Sequence, residues 1–89
     1  MNKEVAHKLG ELIMALSRTV TYVKLSRERN MLNGDYVKMQ CYIVHNNKVY
    51  ELSQLLTDQD ILNLTDAEAM ADMIGDKIRS DSGLPKRKS

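Results

Sequence analysis

Between Lys3 and Leu32 the apolar residues recur at helical spacing. Val5, Leu9, Leu12, Ile13, Leu16, Val20 and Val23 fall within about 100° of one another on a helical projection. The stripe predicts one amphipathic helix over residues 3–32, about 45 Å long at about 1.5 Å per residue. Asn2 is the expected N-cap, and Glu4 complements the positive end of the dipole. Asn33, Gly34 and Asp35 form a turn signal that stops the helix, with Gly34 suited to a left-handed C-cap. A helix this long exceeds what the remaining chain can cover, so Leu9, Leu12, Leu16 and Val20 are expected to meet a second copy. A second apolar line, Met14, Leu25 and Leu32, runs on the opposite side. With Met70 and Met73 it is the expected surface for a larger protein partner, because methionine adapts to irregular contacts.

From Tyr36 the period changes to two. Val37, Met39, Cys41 and Ile43 alternate with Tyr36, Lys38, Gln40 and Tyr42, which is the pattern of a half-buried strand. Asn46 and Asn47 tolerate positive φ and predict a two-residue turn, so residues 36–52 read as a two-stranded antiparallel hairpin. In that register His45 faces Lys48, Ile43 faces Tyr50 and Cys41 faces Leu52. Thr57 and Thr65 each precede a carboxylate by three residues, Asp60 and Glu68, and the Thr65–Glu68 pair has the sequence of a capping box. They predict a short helix over 58–63 and a longer one over 66–79. The expected fold is α+β but mostly helical: one long helix, a hairpin and two C-terminal helices in a single domain over 1–83. A basic tail covers 84–89, and the whole is expected to be dimeric.

Composition removes several classes of function. One cysteine and two histidines at no chelating spacing predict neither a disulfide framework nor a zinc site. Glu4, His7 and Glu11 share the spacing of carboxylate-bridged metal helices, but such sites draw further carboxylates from other helices. Cys41 and His45 lie about 13 Å apart along an extended strand, too far to act as nucleophile and base. Asp58 and Asp60 read as capping residues, since no calcium loop follows them. The longest unbroken apolar run is Leu12–Leu16, so no membrane span is expected, and no leader pattern stands at the start. No cofactor, no metal and a cytoplasmic location are the corresponding expectations.

Charge is segregated although the net is only +1. Residues 1–50 carry +4, residues 51–85 carry −6, and the last four residues carry +3. Lys24, Arg27, Arg29, Lys86, Arg87 and Lys88 form a candidate basic patch that nucleic-acid phosphates would engage. The acidic stretch between them opposes a polyanion. The sequence therefore favours a non-enzymatic adaptor or inhibitor, of the small kind found among bacterial and phage accessory proteins, that self-associates and binds a larger protein. A nucleic-acid-binding regulator using Arg27, Arg29 and the tail is the alternative.

Overall fold

The computed structural model describes residues 3–29 and 34–86. The Asn2 cap, Leu32, Asn33, Arg87 and Lys88 lie outside the described residues. In chain order the elements are α1 (Lys3–Leu16), β1 (Tyr22–Glu28), β2 (Tyr36–His45), β3 (Lys48–Thr57), α2 (Asp58–Leu62) and α3 (Ala67–Asp81). The strands form one antiparallel sheet in the order β1-β2-β3.

This corrects the expected class. The long helix over 3–32 is a helix of 14 residues followed by a strand, and the hairpin is two-thirds of a three-stranded sheet, so the chain is not mostly helical. The physical reason lies in Thr19–Val23, a run of β-branched and aromatic side chains. Such residues lose χ1 freedom in a helix and pack well on a pleated surface. Val20 and Val23 satisfy the helical stripe, yet Val23 and Leu25 alternate equally well against Tyr22, Lys24 and Ser26. The helix ends where the Arg18, Thr19 and Val20 amides fold back onto the carbonyls of Ala15 and Leu16, at 2.9–3.2 Å. At about 21 Å, α1 has no surplus apolar length that a second copy would have to cover.

Gly34 does adopt a left-handed φ of 81°, but it leads into β2, and the helix it was expected to end stops at Leu16. The β2–β3 turn is the one anticipated. Asn46 and Asn47 have φ of 51° and 65°, and His45 faces Lys48, Ile43 faces Tyr50 and Cys41 faces Leu52. Pairing then continues to Thr57, five residues beyond the expected end at Leu52.

All three helices pack on one side of the sheet. Val37, Met39, Cys41 and Ile43 of β2 join Leu56 of β3 in a core completed by Val5, Leu9, Leu12 and Leu16 of α1, Ile61 of α2, and Ala71, Ile74 and Ile78 of α3. Thr57 ends β3 and caps α2 at once. Its hydroxyl accepts from the Asp60 amide at 3.1 Å, and the Asp60 carboxylate accepts from the Thr57 amide at 3.0 Å. The expected Thr65–Glu68 capping box is replaced by Asp66, whose carboxylate accepts from the Ala69 amide at 3.0 Å. The C-terminal end of α2 is closed from outside: Lys8 of α1 donates to the carbonyls of Leu62 and Leu64 at 2.8 and 3.2 Å.

The turn between α1 and β1 is fastened to α3. Thr19 is 3% exposed, and its hydroxyl donates to the Ala71 carbonyl at 3.0 Å. Arg79 in turn donates to the Thr19 carbonyl at 3.0 Å. Gly75 sits opposite, close enough that a Cβ there would lie 3.0 Å from the Thr19 Cβ. No helix among the described residues is long and apolar enough to cross a membrane.

Candidate functional site

Strand register sorts the sheet's side chains into two faces, because cross-strand partners point the same way. The outer face is built of rows: Val44 beside Val49, then Tyr22–Tyr42–Glu51, Lys24–Gln40–Ser53, Ser26–Lys38–Leu55 and Glu28–Tyr36–Thr57. The helices occupy the other side, so no element of the described chain covers these rows. Seven large hydrophobic residues are exposed among the described residues, and four of them, Tyr22, Val44, Val49 and Leu55, lie on this one face. More than half of the exposed large apolar side chains therefore share one uncovered face, with Tyr22, Val44 and Val49 in adjacent rows and Leu55 two rows beyond, and such a grouping is the kind of feature that marks contact surfaces.

The centre of the face is ordered by its own contacts. Tyr22 and Tyr42 stack with ring centroids 4.5 Å apart and planes inclined by 19°. Beside them the Glu51 carboxylate accepts from the Gln40 amide and the Ser53 hydroxyl, each at 3.0 Å. Those two hydrogen bonds hold the Glu51 carboxyl below the usual carboxylate range, and the nearby Lys38 and Lys24 ammonium groups act in the same direction. Partial burial pushes the Tyr42 phenol up, reinforced by the Glu51 charge and then by Tyr22. Two lysines and two glutamates share the face, Lys24 and Lys38 with Glu28 and Glu51, so it carries no net charge.

The residues expected at sites are distributed differently. Leu9, Leu12, Leu16 and Val20 are 0–7% exposed in the chain's own core, where a second copy cannot reach them without unfolding. Met14 and Met73 are exposed on α1 and α3, Met70 is half-buried against the core, and Leu25 is partly exposed on the inner side of edge strand β1. These residues do not make one stripe.

The basic patch is likewise divided. Lys24 points to the outer face, whereas Arg27 points inward and lies 3.8 Å from both Asp35 and Asp58. Arg27 supplies charge to the buried Oδ1 of Asp58, which receives no hydrogen bond among the described residues. Arg29 is exposed beyond the end of β1, and Lys86 lies across the molecule beside Arg79.

Candidate chemistry is sparse. His7 and Glu11 pair at 2.8 Å on the exposed side of α1, and no group of three potential metal ligands exists among the described residues. Burial pushes the Cys41 thiol up to about 11, which leaves almost no thiolate to react. The outer face itself was half legible in the sequence. The alternation of Tyr36, Lys38, Gln40 and Tyr42 marks it, but assigning Tyr22 and Lys24 to a helix hid the strand that completes it. Comparison with known protein families, curated proteins and solved structures gives no match.

Proposed function

We propose that this chain is a non-enzymatic interaction module whose working surface is the outer face of the sheet, and that a protein covers that face. The concentration of Tyr22, Val44, Val49 and Leu55 on an uncovered sheet carries this reading. Tyrosine in a neutral, mixed setting is what protein interfaces enrich at their centres. The balance of Lys24 and Lys38 against Glu28 and Glu51 suits a second copy packed about a two-fold axis, where lysines of one chain meet glutamates of the other. A larger protein partner would use the same surface. Nucleic acid is the second reading, favoured by the Tyr22–Tyr42 stack next to Lys24 and Lys38, since stacked aromatics with flanking cations accept unpaired bases. The neutral face and the separation of Lys24 from Arg27 weigh against it.

Capture with the tagged chain, with and without nuclease, tests the choice. A stoichiometric protein that survives nuclease is expected. Tyr42→Ser combined with Val49→Ser should weaken its binding by about tenfold or more, while Met73→Ser leaves it unchanged. Retention of full binding by the double variant, or loss of all bound material on nuclease treatment, would reject the proposal.

A further inference from the structure

A cleft lies where the end of α3 meets the α1–β1 turn and the end of β2, and it differs from the sheet face in charge. The cleft measures about 380 Å³ and is lined by Arg18, His45, Arg79 and Lys86 together with Thr21 and a wall that includes Ile43 and Leu84. Four basic side chains line it and no carboxylate does. Its far wall is built by a Schellman turn at the end of α3: Gly83 takes φ of 69°, its amide donates to the Ser80 carbonyl, and the Leu84 amide donates to the Arg79 carbonyl at 2.8 Å. That turn packs Leu84 against the core and aims Pro85 and Lys86 along the cleft. It also satisfies the Arg79 and Ser80 carbonyls at the negative end of α3, an end whose opposition to an anion the basic side chains of the cleft must offset.

Donors converge on this space from several elements. Arg79 spends one N–H on the Thr19 carbonyl, and its remaining guanidinium donors have no partner among the described residues. Thr21 accepts from the Val44 amide at 2.9 Å through its hydroxyl oxygen, which leaves the hydroxyl hydrogen to donate. His45 and Lys86 carry no ion pair among the described residues. Arg18 leans away toward Glu68 at 3.1 Å, and Asp76 belongs to the adjoining hollow that Arg79 and Lys86 also line.

We propose that this cleft is an anion site that takes the phosphate group of a small phosphate monoester. A planar guanidinium, an ammonium, an imidazole and a hydroxyl placed around one space supply donors from several directions, which a phosphate group with its several acceptor oxygens can use together. The volume stands at the low end of ligand sites, about 300–1,000 Å³, which suits a small ester. The organic part of the ester rests on Leu84 and Pro85. This site adjoins the sheet face at Val44, which lines both, but none of its donors belongs to the rows of that face, so it does not depend on that reading.

The test is titration of the isotope-labelled full chain with adenosine monophosphate, inorganic phosphate and adenosine, following the backbone amides of Thr21, Val44, His45 and Arg79. Saturable shifts confined to this cleft are expected with the monophosphate, weaker ones with inorganic phosphate and none with adenosine. Lys86→Gln and His45→Gln, both outside the core, should each weaken binding by up to about fivefold without moving the unfolding midpoint. Arg79→Gln should weaken it further, but it also loses the bond to Thr19, so the other two variants decide. Shifts that fail to saturate, that match those of adenosine, or that persist unchanged in the Lys86→Gln His45→Gln double variant would overturn the proposal.

Discussion

Leu12→Ala is expected to lower the unfolding free energy by about 2–5 kcal/mol. Leu12 is fully buried in the core beneath the inner face of the sheet, among the largest side chains with no exposure at all. Truncation removes its transfer free energy and leaves a space that neighbours on two elements cannot both move to fill. Against a total stability of about 5–15 kcal/mol, this is a large fraction. The melting temperature should fall by at least about 8 °C, since about 1 kcal/mol moves a domain of this size by about 4–8 °C. Denaturant unfolding should show the loss at every protein concentration, because Leu12 contacts its own chain. A loss that shrinks as concentration rises would place Leu12 in an interface between copies, and a loss below about 1 kcal/mol would remove it from the core.

The second large effect is expected at Gly75, and a pair of substitutions separates its causes. A Cβ at Gly75 would stand 3.0 Å from the Thr19 Cβ and 3.1 Å from the Thr19 carbonyl oxygen. In Gly75→Ala that crowding opposes the helix propensity gained over glycine, about 1 kcal/mol, so the net change should stay within about 1 kcal/mol of zero. Gly75→Leu has nearly the same propensity as alanine, yet its longer side chain must displace Thr19. That movement stretches the Thr19–Ala71 and Arg79–Thr19 hydrogen bonds, which fasten the α1–β1 turn to α3. The leucine variant should therefore lose about 3 kcal/mol or more relative to alanine. Equal stability of the two variants, measured by denaturant unfolding, would show that α3 does not approach Thr19 this closely.

How much of this was readable from the chain depends on whether local pattern and tertiary packing agree. Around Asn46–Asn47 they agree: two residues tolerant of positive φ separate runs whose apolar positions meet on one face only in one register. The structure has that register. The Thr57–Asp60 cap was legible for the same reason, since it is satisfied within four residues. At Thr19–Val23 the two levels conflict. Val20 and Val23 extend a helical stripe by coincidence of spacing, whereas the β-branched run and the partner strand from Val37 to Tyr42 decide for a strand. Pairing with β2 is a contact of long sequence separation, and periodicity within one segment contains no trace of it. The same oversight concealed the outer face, because Tyr22 and Lys24 each supply one of the three residues in its two central rows. The basic patch failed on a finer point. Lys24 and Arg27 are neighbours on a helix, but three residues along a strand put them on opposite faces.

The claim that the outer sheet face is the working surface is tested most directly by site-resolved photo-cross-linking. A photoreactive phenylalanine is placed at Val49 on the outer face in one variant, and at Met73 on α3 in another. Both positions are more than half exposed, at 57% and 58%, so neither substitution disturbs the core. Irradiation in nuclease-treated extract of the source cells should give a discrete adduct from Val49, at twice the 10.2 kDa chain mass for a second copy or higher for a larger protein. The Met73 variant should give none. Adducts from Met73 together with none from Val49 would contradict the assignment.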